Sequence, residues 1–240
     1  MEFSGLGFVP SFLTFWCMVW LSTSYILTLT YSHAPPLMFI SEAGNYYPEK
    51  ITFKIGFIGM SIATLGLMFL QYKFIQLHAE AFRAHQPIIQ KVLLVLGWTS
   101  CGGIVILAVC ETRFYPLTHR IAAFTAFICG SVYNLSQAII LYKAPGCGRV
   151  ICHIRTASCV MALICVLIFT GCQTSVHTNL CRVGNPQISA IIFKTMEWLI
   201  LLLILINVLT YHQHMQSLSL TVSKKGCNIS TRANNQDSGV

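Results

Sequence analysis

The chain has 240 residues, of which 9% are Asp, Glu, Lys or Arg and 55% are apolar, with a formal charge of +8. A soluble domain carries about 25% charged residues, so this composition excludes an ordinary water-soluble enzyme or binding domain. The basic excess lies in ones and twos at the ends of apolar runs. That argues against the continuous basic face of a nucleic-acid binder and suits a border with anionic headgroups.

Runs of 18 or more nearly uncharged residues read as membrane-spanning helices, because about 20 helical residues cross the hydrocarbon. The first, residues 8–31, is too long for a signal-peptide core and lacks a small-x-small cleavage site. Glu2, not a basic residue, precedes it, so the expectation is an uncleaved helix. Pro10 falls in its first turn, where proline is tolerated.

A polar, turn-rich loop follows, with Pro35, Pro36, Gly44-Asn45 and Pro48 before Glu49-Lys50. The second run, 51–72, contains Gly59 and Ala63 at small-x-x-x-small spacing. The third, 92–110, contains Gly97, Gly102 and Gly103. The fourth, 119–142, ends before a Pro145-Gly146 break, and the fifth and sixth cover 154–172 and 188–211. Residues 212–240 lose hydrophobicity and predict a disordered cytosolic tail. The expected fold class is all-α, a polytopic membrane helix bundle of about six spans within residues 1–211.

Orientation follows from the short-loop Lys and Arg residues. Lys73, Arg83, Lys91, Lys143, Arg149, Arg155, Lys224, Lys225 and Arg232 stand on one side. Lys50, Lys54, Arg113, Arg120, Arg182 and Lys194 stand on the other. Nine against six predicts cytosolic N- and C-termini.

Most of the eleven cysteines lie inside predicted helices, where Cys is a small apolar residue. Cys172 and Cys181 flank the fifth loop, on the side this topology exposes to an oxidising lumen, and a bridge between them is left open. Cys147, Cys152 and Cys227 sit at the cytosolic boundary as plain thiols or S-acylation sites. The sequon Asn228-Ile229-Ser230 falls in the tail and Asn134-Leu135-Ser136 in a helix, so an unglycosylated protein is expected.

Ala122, Ala126, Gly130, Asn134 and Ala138 recur every four residues on the fourth helix. Small side chains at that spacing let helix backbones approach in lipid, and an amide on the same stripe can bond across. The stripe therefore reads as a helix-packing seam, or as one wall of a small polar cavity, with Gln137 close to the same face.

Lys194 and Glu197 are three apart on the sixth helix and able to pair. A charge at membrane depth is a functional candidate, although Trp198 also suits an interfacial anchor. Glu111 closes the third helix and His119-Arg120 opens the fourth, predicting a salt bridge across that loop.

No His-Glu-x-x-His, Gly-x-Ser-x-Gly or phosphate-loop motif is present, and the eight histidines are scattered. The sequence predicts no catalytic residues, no metal site and no cofactor.

Phe8-Val9-Pro10, the block Phe39-Ile40-Ser41-Glu42-Ala43-Gly44 with Pro48-Glu49-Lys50, and Phe127-Ile128-Cys129-Gly130 leading to Gln137 and Tyr142-Lys143 form an ordered set. Cys152-His153-Ile154-Arg155 and Glu197-Trp198 complete it. Together these blocks resemble the damage-regulated autophagy modulators, from about Gly7 to Ser219. The resemblance implies a non-enzymatic six-helix protein of lysosomal and endosomal membranes that promotes autophagy. Relatives outside the close group sit at the plasma membrane and affect phosphoinositide signalling or mechanically evoked currents.

The expected working surfaces are the first loop, through Ser41, Glu42, Gly44, Pro48 and Glu49, and the fourth-helix stripe. The expected partners are membrane lipids and membrane or cytosolic proteins, with no nucleic acid. The rival expectation is a transporter or current-modulating subunit using Asn134, Gln137, Glu197 and Glu111 around a polar path.

Overall fold

A computed structural model describes residues 2–77, 87–142, 148–177, 186–216, 218–223 and 226–231, with side chains over 5–76, 87–142, 148–171, 188–213 and 215–216. Six helices carry the fold: α1 (Phe8–Thr30), α2 (Glu49–Leu77), α3 (Pro87–Val109), α4 (Pro116–Tyr142), α5 (Arg149–His177) and α6 (Pro186–Leu209). All six are long and apolar enough to cross a membrane, and only 22% to 39% of each spanning window is buried in protein. Phe12, Phe15, Ile62, Val95, Ile139 and Leu202 point outward and are exposed. Such continuous outward apolar surface is stable only in lipid, so the molecule is an all-α membrane bundle.

Helix ends depart from the hydropathy runs in a consistent way. α2 and α5 extend past 51–72 and 154–172, because polar residues such as Gln76, Arg149 and His153 end the apolar run without ending the helix. Three helices open on proline, at Pro87, Pro116 and Pro186. There the missing N–H is one the first turn leaves unpaired anyway.

Each helix packs on the next in sequence, and α1 closes the ring against α6. The closest seam joins α3 to α4. A Cβ added at Gly103 would lie 2.8 Å from the Ala122 carbonyl oxygen and 2.9 Å from the Ala126 nitrogen. Ser100 Oγ donates to the Ala126 carbonyl at 2.7 Å, and a Cβ at Gly130 would meet that same hydroxyl. Gly56 and Gly59 of α2 instead accommodate Trp20 and Trp16 of α1, and the Trp16 indole donates to the Gly56 carbonyl at 3.2 Å.

At the end of the bundle where α1 begins and α6 ends, Leu6, Phe74, Ile75, Leu141, Tyr211 and Met215 share one core. Beyond it, α7 (His212–Gln216) leads into a three-stranded antiparallel sheet of β1 (Glu2–Ser4), β2 (Leu218–Ser223) and β3 (Gly226–Thr231). Within the tail expected to be disordered, residues 218–223 thus pair with the N-terminal strand, Glu2 opposite Thr221, and residues 226–231 pair in turn with β2, Asn228 opposite Thr221. At the opposite end, the loop between α1 and α2 folds into the mouth of the ring, where Met38, Ile40 and Ala43 pack with Phe53, Leu107 and Leu201.

Candidate functional site

The first loop enters the bundle as a built element. Tyr25 of α1 donates its hydroxyl to the Pro36 carbonyl at 2.8 Å, fixing the proline-rich entry. The Phe39 N–H is met by the Glu42 carboxylate at 2.9 Å, and residues Ile40–Gly44 form a single 3₁₀ turn. Gly44 allows close approach of Phe53, whose ring would lie 2.8 Å from an added Cβ. At the exit, His33 Nδ1 and the Glu49 carboxylate are 2.5 Å apart, with Glu49 fully buried.

Three side chains of α6 hold the loop down. Lys194 donates to the Leu37 carbonyl at 3.2 Å and lies 3.4 Å from the Glu42 carboxylate. Glu197 accepts the Ile40 N–H at 2.8 Å, and the Trp198 indole donates to the Met38 carbonyl at 2.9 Å. Positions 194, 197 and 198 share one helical face. Glu197 lies eleven residues after Pro186, about 16 Å along the helix. Irregular backbone at that depth is tolerated only where protein groups satisfy it, and these three side chains do so.

Two expected pairings are therefore replaced. Lys194 and Glu197 do not pair with each other, because the loop inserts between them and offers each a nearer partner. Glu111 does not bridge to His119 or Arg120. It takes Lys50 at 3.2 Å and Lys54 at 3.1 Å, both from the first turns of α2, while His119 Nδ1 donates to the Cys110 carbonyl at 2.7 Å. Burial pushes the Glu111 carboxyl up, but the hydrogen bonds and charges of Lys54 and Lys50 outweigh that and hold it below its ordinary value. Thr112 adds a bond to the Asn45 side chain at 2.7 Å.

The stripe on α4 divides by depth. Ala122, Ala126 and Gly130 form the α3 contact, and Ala138 is buried. Asn134 lines a central cavity of about 120 Å³ enclosed by the ring, which Ser41 and Glu197 also line. Gln137 is buried with its amide oxygen unpartnered among the described residues.

A second space of about 260 Å³ opens beside the loop, and Ser41, Phe127 and Glu197 border both. Outside the ring, an apolar furrow of about 680 Å³ runs between α1 and α6, bounded by Tyr25 and Trp198. These two rings meet edge to face, with centroids 5.7 Å apart.

Arg155, expected only as a boundary charge and as part of the block before the fifth helix, is almost fully buried at the opposite end. It donates to the Thr210 hydroxyl at 2.8 Å and carbonyl at 2.6 Å, with its guanidinium 4.4 Å from the Tyr211 ring centroid. The available signal was a lone Arg in an apolar run, opposite polar residues closing α6. Cys152 is buried, which removes it as an S-acylation site; the Cys147 thiol and that of Cys227 lie outside the described side chains. So do those of Cys172 and Cys181. Among the described residues, no three His, Cys, Asp or Glu side chains are grouped to hold a metal.

The model of the Frag1/DRAM/Sfk1/Cwh43P N-terminal domain matches residues 5–218, nearly the whole bundle and its loop. The chain belongs to this family. Within the Frag1/DRAM group it is 30% identical over 228 residues to the mouse and human proteins named DNA damage-regulated autophagy modulator protein 1, covering 91% of this chain and 94% of each relative. It is 33% identical over 141 residues to mouse DNA damage-regulated autophagy modulator protein 2, covering 58% of this chain and 52% of that one. No solved structure matches it.

Proposed function

We propose that this protein is a non-enzymatic modulator of autophagy on lysosomal and endosomal membranes, acting by binding lipid or a partner protein. Family membership supports the autophagy role. The observation that supports binding is the inserted first loop, clamped by Lys194, Glu197 and Trp198 between a mouth cavity and a lipid-facing furrow. Such an arrangement holds a ligand-facing surface rigid, and it provides apolar space for an acyl chain beside it. With both termini in the cytosol, that surface faces the lumen.

Imaging tagged protein against lysosomal and plasma-membrane markers, with autophagic flux measured on depletion, tests this. Lysosomal signal with reduced flux supports the function; plasma-membrane signal with unchanged flux overturns it. A transporter or current-modulating subunit is the second reading, favoured by Glu197 and Asn134 lining one central cavity. Loss of an ion or proton flux in Glu197→Gln vesicles would support that reading.

A further inference from the structure

Inside the bundle, Ser131 and Asn134 of α4, Ser158 and Cys159 of α5 and Asn207 of α6 line one small space. Ser131 is 2% exposed and Asn207 1%. The Asn207 amide is oriented by its own N–H group, since Nδ2 donates to Cys159 Sγ at 2.8 Å. That leaves Oδ1 as an acceptor with no donor among the described residues. The Ser131 hydroxyl has no partner among them either. Thr125, on the same helix, instead satisfies its hydroxyl on the Ile121 carbonyl at 2.9 Å.

Buried polar groups are almost always hydrogen-bonded, and the hydrocarbon around a helix bundle supplies no bond. An acceptor and a hydroxyl lining one space therefore point to a ligand that both donates and accepts. The space measures about 10 Å³, room for one water molecule. Ser158 donates its hydroxyl to the Arg155 carbonyl at 2.9 Å and keeps lone pairs for a third contact.

Neutral oxygens from three helices would also suit a sodium ion, but charge decides against it. Among the described residues no carboxylate lines the space, and the cationic Arg155 stands one turn before Cys159 on α5. An ion would lose its hydration there with no counter-charge, which is far more costly than burying a neutral molecule.

We infer that one ordered water binds among Ser131, Ser158 and Asn207. It donates to Asn207 Oδ1 and Ser158 Oγ and accepts the Ser131 hydroxyl proton, the three bonds typical of a buried water. It ties α4, α5 and α6 together by polar contacts in a medium where such contacts hold helices together. Asn134 lines this space and the central cavity alike, so that cavity is the water's way in. The site goes beyond the proposed function and is read without any autophagy measurement.

The test uses the full chain in lipid bilayers, isotope-labelled at its asparagine nitrogens, and solid-state NMR that transfers magnetisation from water protons. Asn207→Leu identifies the Asn207 side-chain signal by removing it. In the wild type that signal is expected to receive transfer from water despite its depth. Ser131→Ala should lower the transfer several-fold by taking away one partner. The two variants should also be non-additive in unfolding midpoint, because each alone releases the same water.

Absence of transfer to the Asn207 amide overturns the inference, and so does transfer that Ser131→Ala leaves unchanged. A shift of the Asn207 signal when sodium replaces potassium in the buffer assigns the site to a cation and overturns the water. If Asn207→Leu does not fold, Asn207→Gln identifies the signal instead, by taking the residue out of the asparagine-labelled set.

Discussion

The Glu197 carboxylate of α6 accepts the backbone N–H of Ile40 at 2.8 Å, joining residues 157 positions apart. Removing the acceptor leaves a buried N–H without a partner, which costs about 1–3 kcal/mol. Glu197→Ala should therefore lower the thermal unfolding midpoint in detergent clearly. Glu197→Gln keeps a carbonyl oxygen in reach of Ile40 and should move it much less. Equal losses in the two variants would show that charge, not the loop contact, sets the stability.

The α3–α4 seam makes a contrast between adjacent glycines. At Gly103 an added methyl meets the Ala122 and Ala126 backbone within 3 Å, whereas at Gly102 nothing lies within 4 Å. Overpacking against backbone costs about 1–3 kcal/mol. Alanine at an unobstructed helical position gains up to about 1 kcal/mol over glycine. Gly103→Ala should destabilise the protein and Gly102→Ala should be neutral or stabilising, read by denaturant titration in micelles.

The Glu111 carboxyl, held below its ordinary value of 4.5 by Lys54 and Lys50, gives a pH signature. A depressed folded pKa contributes stability that is complete above the ordinary value and disappears as pH falls through the folded one. The difference in midpoint between the wild type and Glu111→Gln should thus stay constant from neutral pH down to about pH 5, then shrink below about pH 4.5. A difference that already shrinks between pH 7 and pH 5 would contradict the two-lysine arrangement.

Arg155 caps the end of α6 through Thr210 with two donors in a fixed fork. Lysine supplies a point charge without that geometry. Arg155→Lys should lower stability by about 1–3 kcal/mol, and Arg155→Ala by more, since it also empties the space over Tyr211. Thermal unfolding followed by size-exclusion fluorescence separates the two. A lysine variant indistinguishable from wild type would reduce the contact to charge alone.

The sequence by itself determined that six helices cross a membrane, and roughly where. A helix in lipid satisfies its backbone internally, so its existence depends only on a local run of apolar residues. The recurrence of Ala122, Ala126 and Gly130 pointed to a close helix contact for the same local reason. Tertiary structure decided which groups the few charges meet. Lys194 and Glu197, three apart, have the spacing of a pair, but the inserted loop takes both. Glu111 found Lys50 and Lys54, 61 and 57 positions away, rather than its sequence neighbours. The pairing of Glu2–Ser4 with the tail likewise brings together two chain ends. Each of these contacts depends on the order in which helices close the ring, and no local run of residues encodes that order.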